Sequence, residues 1–265
     1  MTERKTALVT GGSSGIGLSS ARALKEKGWR VFTLSRRENG PDGFEHIRAD
    51  VSDPAECSRA VSAVLECCGR LDLLVNCAGF GISGAAEFTP DEEAEAQVRV
   101  NLFGTANMCR AVIPQMRQQK GGRILNVSSF AGLTPIPFQL WYSVSKAGIN
   151  SYSMGLANEL RRFGISVAAV MPGDTKTGFT DMRRKNQQGD EVYGGVISRS
   201  VEKMEKDERG GMSPDRVGAL VAKLAGKRSV APLYTVGAGY WFLALVFKLL
   251  PAALSNRILG MMYAS

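Results

Sequence analysis

Tyr142 and Lys146, four residues apart in the run Tyr-Ser-Val-Ser-Lys, are the side chains whose types and spacing could move a proton. On a helix, positions four apart lie one turn above each other, so the phenol and the ammonium can address a single point. An isolated phenol titrates near ~10, and a positive neighbour favours the phenolate and draws the group toward the range useful for acid–base work. The expectation is a tyrosine acidified by a lysine. The pair carries little weight alone, because many exposed helices contain the same spacing, and the rest of the chain has to supply its meaning. Thirteen residues upstream of Tyr142, an apolar run at 122–127 ends in Ser128 and Ser129. In open α/β sheets ligands sit beyond the carboxyl ends of strands, which is where those hydroxyls fall.

Composition removes several other chemistries. The chain has 265 residues and 44% hydrophobic content, enough for one sizeable core and a single α/β domain. Its only histidine is His46, so a Ser-His-Asp hydrolase is excluded unless His46 were the base. The five cysteines (Cys57, Cys67, Cys68, Cys77 and Cys109) lack Cys-x-x-Cys spacing and partnering histidines. Reduced thiols in a cytoplasmic protein without a metal site are expected. The net charge of +8 is spread among 25 acidic residues, with short clusters at Arg36-Arg37, Arg161-Arg162 and Arg183-Arg184-Lys185. That pattern suits a solvated basic surface or attraction of an anionic cofactor, not nucleic acid. A strand-like run begins within a few residues of Met1 and leaves no room for a signal peptide.

The elements that must position the Tyr-Lys pair follow in chain order. Residues 6–10 read as a buried strand that runs into Gly11-Gly12-Ser13-Ser14-Gly15-Ile16-Gly17 and then a helix over 18–27. Strand, glycine turn and helix N-terminus together make a phosphate site, because main-chain N–H groups and the helix dipole face the anion. Residues 30–35 form the second strand, ending in Ser35-Arg36-Arg37. An acid at this place would accept from a ribose 2′-hydroxyl, whereas an arginine pairs with a 2′-phosphate, so NADP(H) is expected over NAD(H). A third strand at 46–49 precedes Asp50-Val51, a helix spans 54–68 with Asp53 as its cap, and a fourth strand at 71–75 leads to Asn76-Cys77-Ala78-Gly79. The small residues there let main chain approach a cofactor. A helical stretch over 91–116, kinked near Pro114, carries Asn101 among apolar neighbours, where an asparagine requires a buried hydrogen-bonding reason. A helix over 141–162 returns to a strand at 166–171 closed by Pro172-Gly173. Residues 174–211 are polar and glycine-rich, as a mobile lid or a surface excursion would be; a helix at 213–224 and a last strand at 230–236 follow. The reading is a single-domain, Rossmann-type, doubly wound parallel sheet of about seven strands over residues 1–238, with helices on both faces.

Taken together, these motifs make the chain resemble the short-chain dehydrogenase/reductase family over about residues 5–239. The matching residues are Thr10-Gly11-x-x-x-Gly15-Ile16-Gly17, Asp50-Val51, Asn76-Cys77-Ala78-Gly79, Asn101, Ser129 with Tyr142-x-x-x-Lys146, and Pro172-Gly173 with Thr177. Cys77 departs from the asparagine more usual there. The resemblance implies interconversion of a secondary alcohol and a ketone. Tyr142 would be the acid or base, with Lys146 lowering its pKa and binding the nicotinamide ribose. Ser129, preferred over Ser128 by its spacing, would bond the substrate oxygen, and Asn101 would hold a water feeding the proton line. Gly11, Ser13, Ser14, Gly15, Ile16 and Gly17 would hold the cofactor phosphates, with Ser35, Arg36 and Arg37 at its ribose. Asp50 and Val51 would flank the adenine, Asn76, Ala78 and Gly79 the adenosine side, and Pro172, Gly173, Thr175 and Thr177 the nicotinamide.

The substrate is expected to be a bulky hydrophobic alcohol or ketone, such as a hydroxysteroid or bile acid, from the apolar run at 135–141 and similarity to hydroxysteroid-type members. A carrier-bound acyl reductase, a general carbonyl reductase and a non-catalytic dinucleotide sensor are the alternatives. Residues 239–265 form an apolar extension interrupted by Lys248 and Pro251, too short to span a bilayer. Burial over the pocket or in a homodimer or homotetramer is favoured there over contact with a membrane surface.

Overall fold

The computed structural model describes residues 4–264. In chain order its elements are β1 (Thr6–Thr10), α1 (Gly15–Glu26), β2 (Arg30–Ser35), β3 (Glu45–Arg48), α2 (Pro54–Cys68), β4 (Leu73–Asn76), β5 (Ile82–Ser83), α3 (Asp91–Val98), α4 (Gly104–Gln118), β6 (Gly122–Val127), α5 (Leu140–Leu160), β7 (Ile165–Pro172), α6 (Phe179–Met182), β8 (Arg184–Lys185), α7 (Val196–Arg209), α8 (Pro214–Gly226), β9 (Leu233–Val236), α9 (Ala238–Leu249) and α10 (Ala252–Tyr263). Seven strands pair in parallel in the order β3-β2-β1-β4-β6-β7-β9. The order reverses between β1 and β4, and the crevice at their carboxyl ends is the natural place for a ligand.

Alternation along the strands separates two cores. Leu8 on β1 packs with Val61, Met108, Val112 and Leu156 under α2, α4 and α5. Its neighbours Ala7 and Val9 face the other way, with Leu24, Val217 and Val221 under α1 and α8. Both faces of the sheet are therefore dry, as a continuously apolar parallel strand requires. The cap at Asp53 is present: its Oδ1 accepts from the N–H groups of Ala55 and Glu56, with Pro54 at the first helical position.

Several boundaries differ from expectation. α1 begins at Gly15 inside the glycine motif rather than at Leu18. No break occurs at Pro114, since α4 continues through that residue. The helical stretch changes character instead at Arg99–Phe103, a π-helical turn between α3 and α4 that contains Asn101. Such turns widen the helix by one residue and re-aim what they carry. Residues 174–211 contain α6, β8 and α7. Ile197, Val201 and Met204 of α7 pack with Ala85, against Phe88, Ile136, Phe138 and Tyr263.

Candidate active site

Phosphate-binding capacity arises at the β1–α1 turn. The first intrahelical bond runs from Leu18 N–H to Ser14 O, so the N–H groups of Gly15, Ile16 and Gly17 belong to the helix's unsatisfied first turn. Glycine is required at two of these positions. Gly11 has φ +62°, and a Cβ there would lie 2.9 Å from the main chain of Cys77 and Ala78; a Cβ on Gly17 would meet Gly11 O at 2.2 Å. The β1 and β4 turns are tied together by Thr10, whose Oγ1 accepts from the N–H groups of both Cys77 and Ala78 at 3.1 Å.

At the end of β2, Arg36 and Arg37 are exposed and line the same cleft. Arg37 N–H donates to Ser35 Oγ, and its main-chain O faces His46 Nε2 at 3.1 Å. The nearby acid Glu38 is drawn to Arg48 at 2.8 Å. Asp50 also lines the cleft, with Oδ1 accepting from the N–H and hydroxyl of Ser52. A free helix N-terminus, a glycine cradle and paired arginines fit a phosphorylated dinucleotide.

The reactive end lies where β6 and α5 meet. Tyr142 and Lys146 project from the first turns of α5, with Lys146 Nζ 5.5 Å from the centre of the Tyr142 ring and donating to Val127 O at 2.9 Å. Ser129 is partly exposed at the strand end; its Oγ accepts from Ala131 N–H, and its hydroxyl favours the ionised form of the adjacent Tyr142 phenol. Ser128, by contrast, is buried and donates to Lys146 O at 2.9 Å, bracing α5 against β6. Geometry thus separates the two serines.

The expected acidified phenol is corrected. Burial pushes Tyr142 up to about 12, and the carboxylates of Glu208 and Asp174 oppose ionisation further, against the help of Ser129 and Arg183. The same loss of water pulls Lys146 down to about 8. Desolvation disfavours both charged forms. Tyr142 is consequently a protonated phenol at neutral pH, the form that can give a proton away.

Two expected site residues stand apart from the cleft. Asn76 is buried, and its amide donates to Asn126 Oδ1 and Cys109 Sγ, joining β4 to β6 beneath the surface; it does not line the cofactor cleft. Asn101 stands behind the wall. Its Oδ1 accepts from Phe80 N–H, and its Nδ2 donates to Phe80 O and Ser145 Oγ, while Ser145 donates to Tyr142 O. The carboxamide clamps the loop after β4 to the helix bearing Tyr142. Gly79 permits this, because a Cβ there would meet Asn101 Oδ1 at 2.9 Å. The remaining predicted residues from Gly11 to Thr177 line one cleft of about 1160 Å³. Thr175 Oγ1 donates to Gly173 O, and Thr177 Oγ1 accepts from Phe179 N–H.

The far wall draws on the C-terminal extension, for which burial over the pocket was an expectation, and on Phe179, which no motif marked. Phe179 tilts against Tyr142 with ring centres 5.5 Å apart, and Tyr240, Leu243, Phe247, Leu259 and Tyr263 of α9 and α10 close the cleft. Three acids, Asp174, Asp207 and Glu208, line it as well. Asp174 Oδ2 accepts from Tyr240 OH at 2.5 Å, Asp207 pairs with Lys203 at 3.0 Å, and Glu208 pairs with buried Arg183. Burial and its acidic neighbours raise the Asp174 carboxyl. The apolar run at 135–141 hinted at part of this wall, but nothing in the local pattern at 174 or 207 did.

The model of the short chain dehydrogenase family matches residues 5–188. The chain belongs to the short-chain dehydrogenase family. It is accordingly an NAD(P)-dependent oxidoreductase. Among this family's members, a 3-ketodihydrosphingosine reductase of Bacteroides thetaiotaomicron is 40% identical over 225 residues, covering 84% of each chain. A probable short-chain type dehydrogenase/reductase of Helicobacter pylori, VdlC, is 28% identical over 256 residues, 93% of each chain. Of solved structures, a short-chain dehydrogenase from Streptomyces avermitilis superposes with a TM-score of 0.83 at 27% identity, covering 99% of this chain and 97% of its own.

Proposed function

We propose that this short-chain dehydrogenase reduces the ketone of a long-chain amphiphile carrying an ammonium group, using NADP(H). The convergence of Ser129, Tyr142 and Lys146 on one cleft with an apolar far wall and an acidic cluster carries the reading. Bound nicotinamide supplies the hydride. Tyr142 gives its phenolic proton to the carbonyl oxygen, and Ser129, whose lone pair already receives Ala131 N–H, directs its own hydrogen at the same oxygen. Lys146 holds the ribose hydroxyls with its ammonium while Val127 O fixes its direction. Asn101 is a positioning residue acting through Phe80 and Ser145. Arg36 takes the 2′-phosphate, supported by the diversion of Glu38 to Arg48.

The similarity to a 3-ketodihydrosphingosine reductase supports a substrate with one long alkyl chain and an amine beside the ketone. Leu243, Phe247 and Met262 suit the chain, and Asp174 and Asp207 suit the ammonium. A hydroxysteroid would use the apolar wall and bring no cation to the acids, and a bile acid would bring its carboxylate against them. NADPH oxidation should be followed with 3-ketodihydrosphingosine, its analogue lacking the amine, a steroid ketone, a 3-oxoacyl thioester and a sugar-type ketone. The amine-bearing chain should be the preferred substrate, and Asp174→Asn should erase the preference over the deaminated analogue. Activity confined to small polar ketones would sink the reading.

A further inference from the structure

The C-terminal helices have two apolar faces. On α9, Tyr240, Leu243 and Phe247 line the cleft, whereas Trp241, Phe242 and Leu249 point to solvent with 60, 62 and 76% of their surface exposed. At ~100° per residue the two sets lie roughly 180° apart on the helix. α10 repeats the arrangement, with Leu259 and Tyr263 inward and Leu254 and Met261 outward. Met262 belongs to both surfaces, lining the cleft while 43% exposed, so the outer apolar face runs into the cleft mouth. Residues 238–265 contain no aspartate or glutamate, and their two charges, Lys248 and Arg257, are both basic and exposed.

We propose that the outward face of α9 and α10 docks on an anionic lipid surface and opens the cleft mouth directly at the headgroup boundary. Both helices are 12 residues long, and among the described residues no helix is long and apolar enough to cross a membrane. The helices lie in the interface plane, with apolar side chains buried to the acyl boundary and Lys248 and Arg257 meeting the negative headgroups. Trp241 sits in the amphipathic position that indole rings favour at such boundaries. The charge pattern discriminates against a second copy of the chain. Symmetric pairing through this face would gather Lys248 and Arg257 from both copies with no acid in the segment to neutralise them. A soluble long-chain substrate would have to leave its aggregate before entering, whereas docking removes that step.

The test is co-sedimentation of the full chain with vesicles of equal parts phosphatidylcholine and phosphatidylglycerol, with pure phosphatidylcholine alongside. Wild type should bind the anionic vesicles, more weakly at high salt. Phe242→Glu with Leu249→Glu should weaken binding about tenfold or more. Lys248→Glu with Arg257→Glu should abolish the preference for anionic lipid. The urea midpoints should stay near wild type, because all four side chains face solvent. Solution mass is measured on the same samples. No binding by wild type, binding indifferent to these substitutions, or an oligomer that dissociates in the Phe242/Leu249 variant would each overturn the proposal, the last assigning the face to a contact between copies.

Discussion

The titration of Lys146 should be visible at ordinary pH. The residue is 6% exposed, and its ammonium donates to Val127 O and is pulled from 10.5 to about 8 by desolvation. That fall corresponds to about 3 kcal/mol against the charged form. Cys77 offsets it little, because its thiol is itself pushed up to about 12 and stays neutral. Because the folded pKa is depressed, the charge is present below about 8 and lost above it. If the ammonium holds the cofactor, kcat/KM for NADPH, which reports the free enzyme, should be level near pH 7 and fall about tenfold per unit well above pH 8. Stopped-flow or initial-rate absorbance of the reduced nicotinamide across that range measures it. Lys146→Arg keeps a positive charge at every accessible pH and should remove the inflection, whatever it does to the plateau. A level profile in the wild type, or an inflection that survives the arginine substitution, would refute the reasoning.

Arg36→Glu should raise KM for NADPH about 10- to 100-fold by removing a charge-assisted pair and adding repulsion, with KM for NADH changed less than about threefold; equal losses with both cofactors would remove the arginine from the 2′-phosphate. Tyr142→Phe should lower kcat by about 10²–10⁴ while NADPH fluorescence titration gives an unchanged Kd. Asn101→Ala should cost about 2–3 kcal/mol in urea unfolding by stranding buried groups of Phe80 and Ser145, and should lower kcat by loosening Tyr142. Gly17→Ala should abolish tight NADPH binding, since its Cβ would meet Gly11 O at 2.2 Å.

Elements bounded by a stereochemical marker were legible in the sequence. β1, β2 and α2 lie at the expected residues, the last because Asp53 caps it and Pro54 opens it. Pro114 did not end the helix, which runs on to Gln118. The real interruption sits at Arg99–Phe103, where no apolar period marks it and Asn101 bonds to main chain twenty-one residues earlier at Phe80. The reactive residues were legible for the opposite reason: Ser129, Tyr142 and Lys146 are close in sequence and sit at element ends, where spacing translates into distance.

The acidic part of the far wall escaped because its information is long-range. Asp174 and Asp207 meet only through the return of α7 over the cleft, and Tyr240 reaches Asp174 across 66 residues of chain. α9 hid itself differently. Apolar on two opposite faces, it reads as a greasy run with Lys248 as its one charge, and periodicity cannot separate a face that encloses substrate from one that meets lipid. That double facing is the consequence to weigh: a helix needed only as a lid would present polar residues outward, since exposed aromatics lower solubility with nothing gained in packing. The placement of Trp241 and Phe242 on the solvent side, with every charge in the segment basic, is what a lid that also rests on an anionic boundary requires.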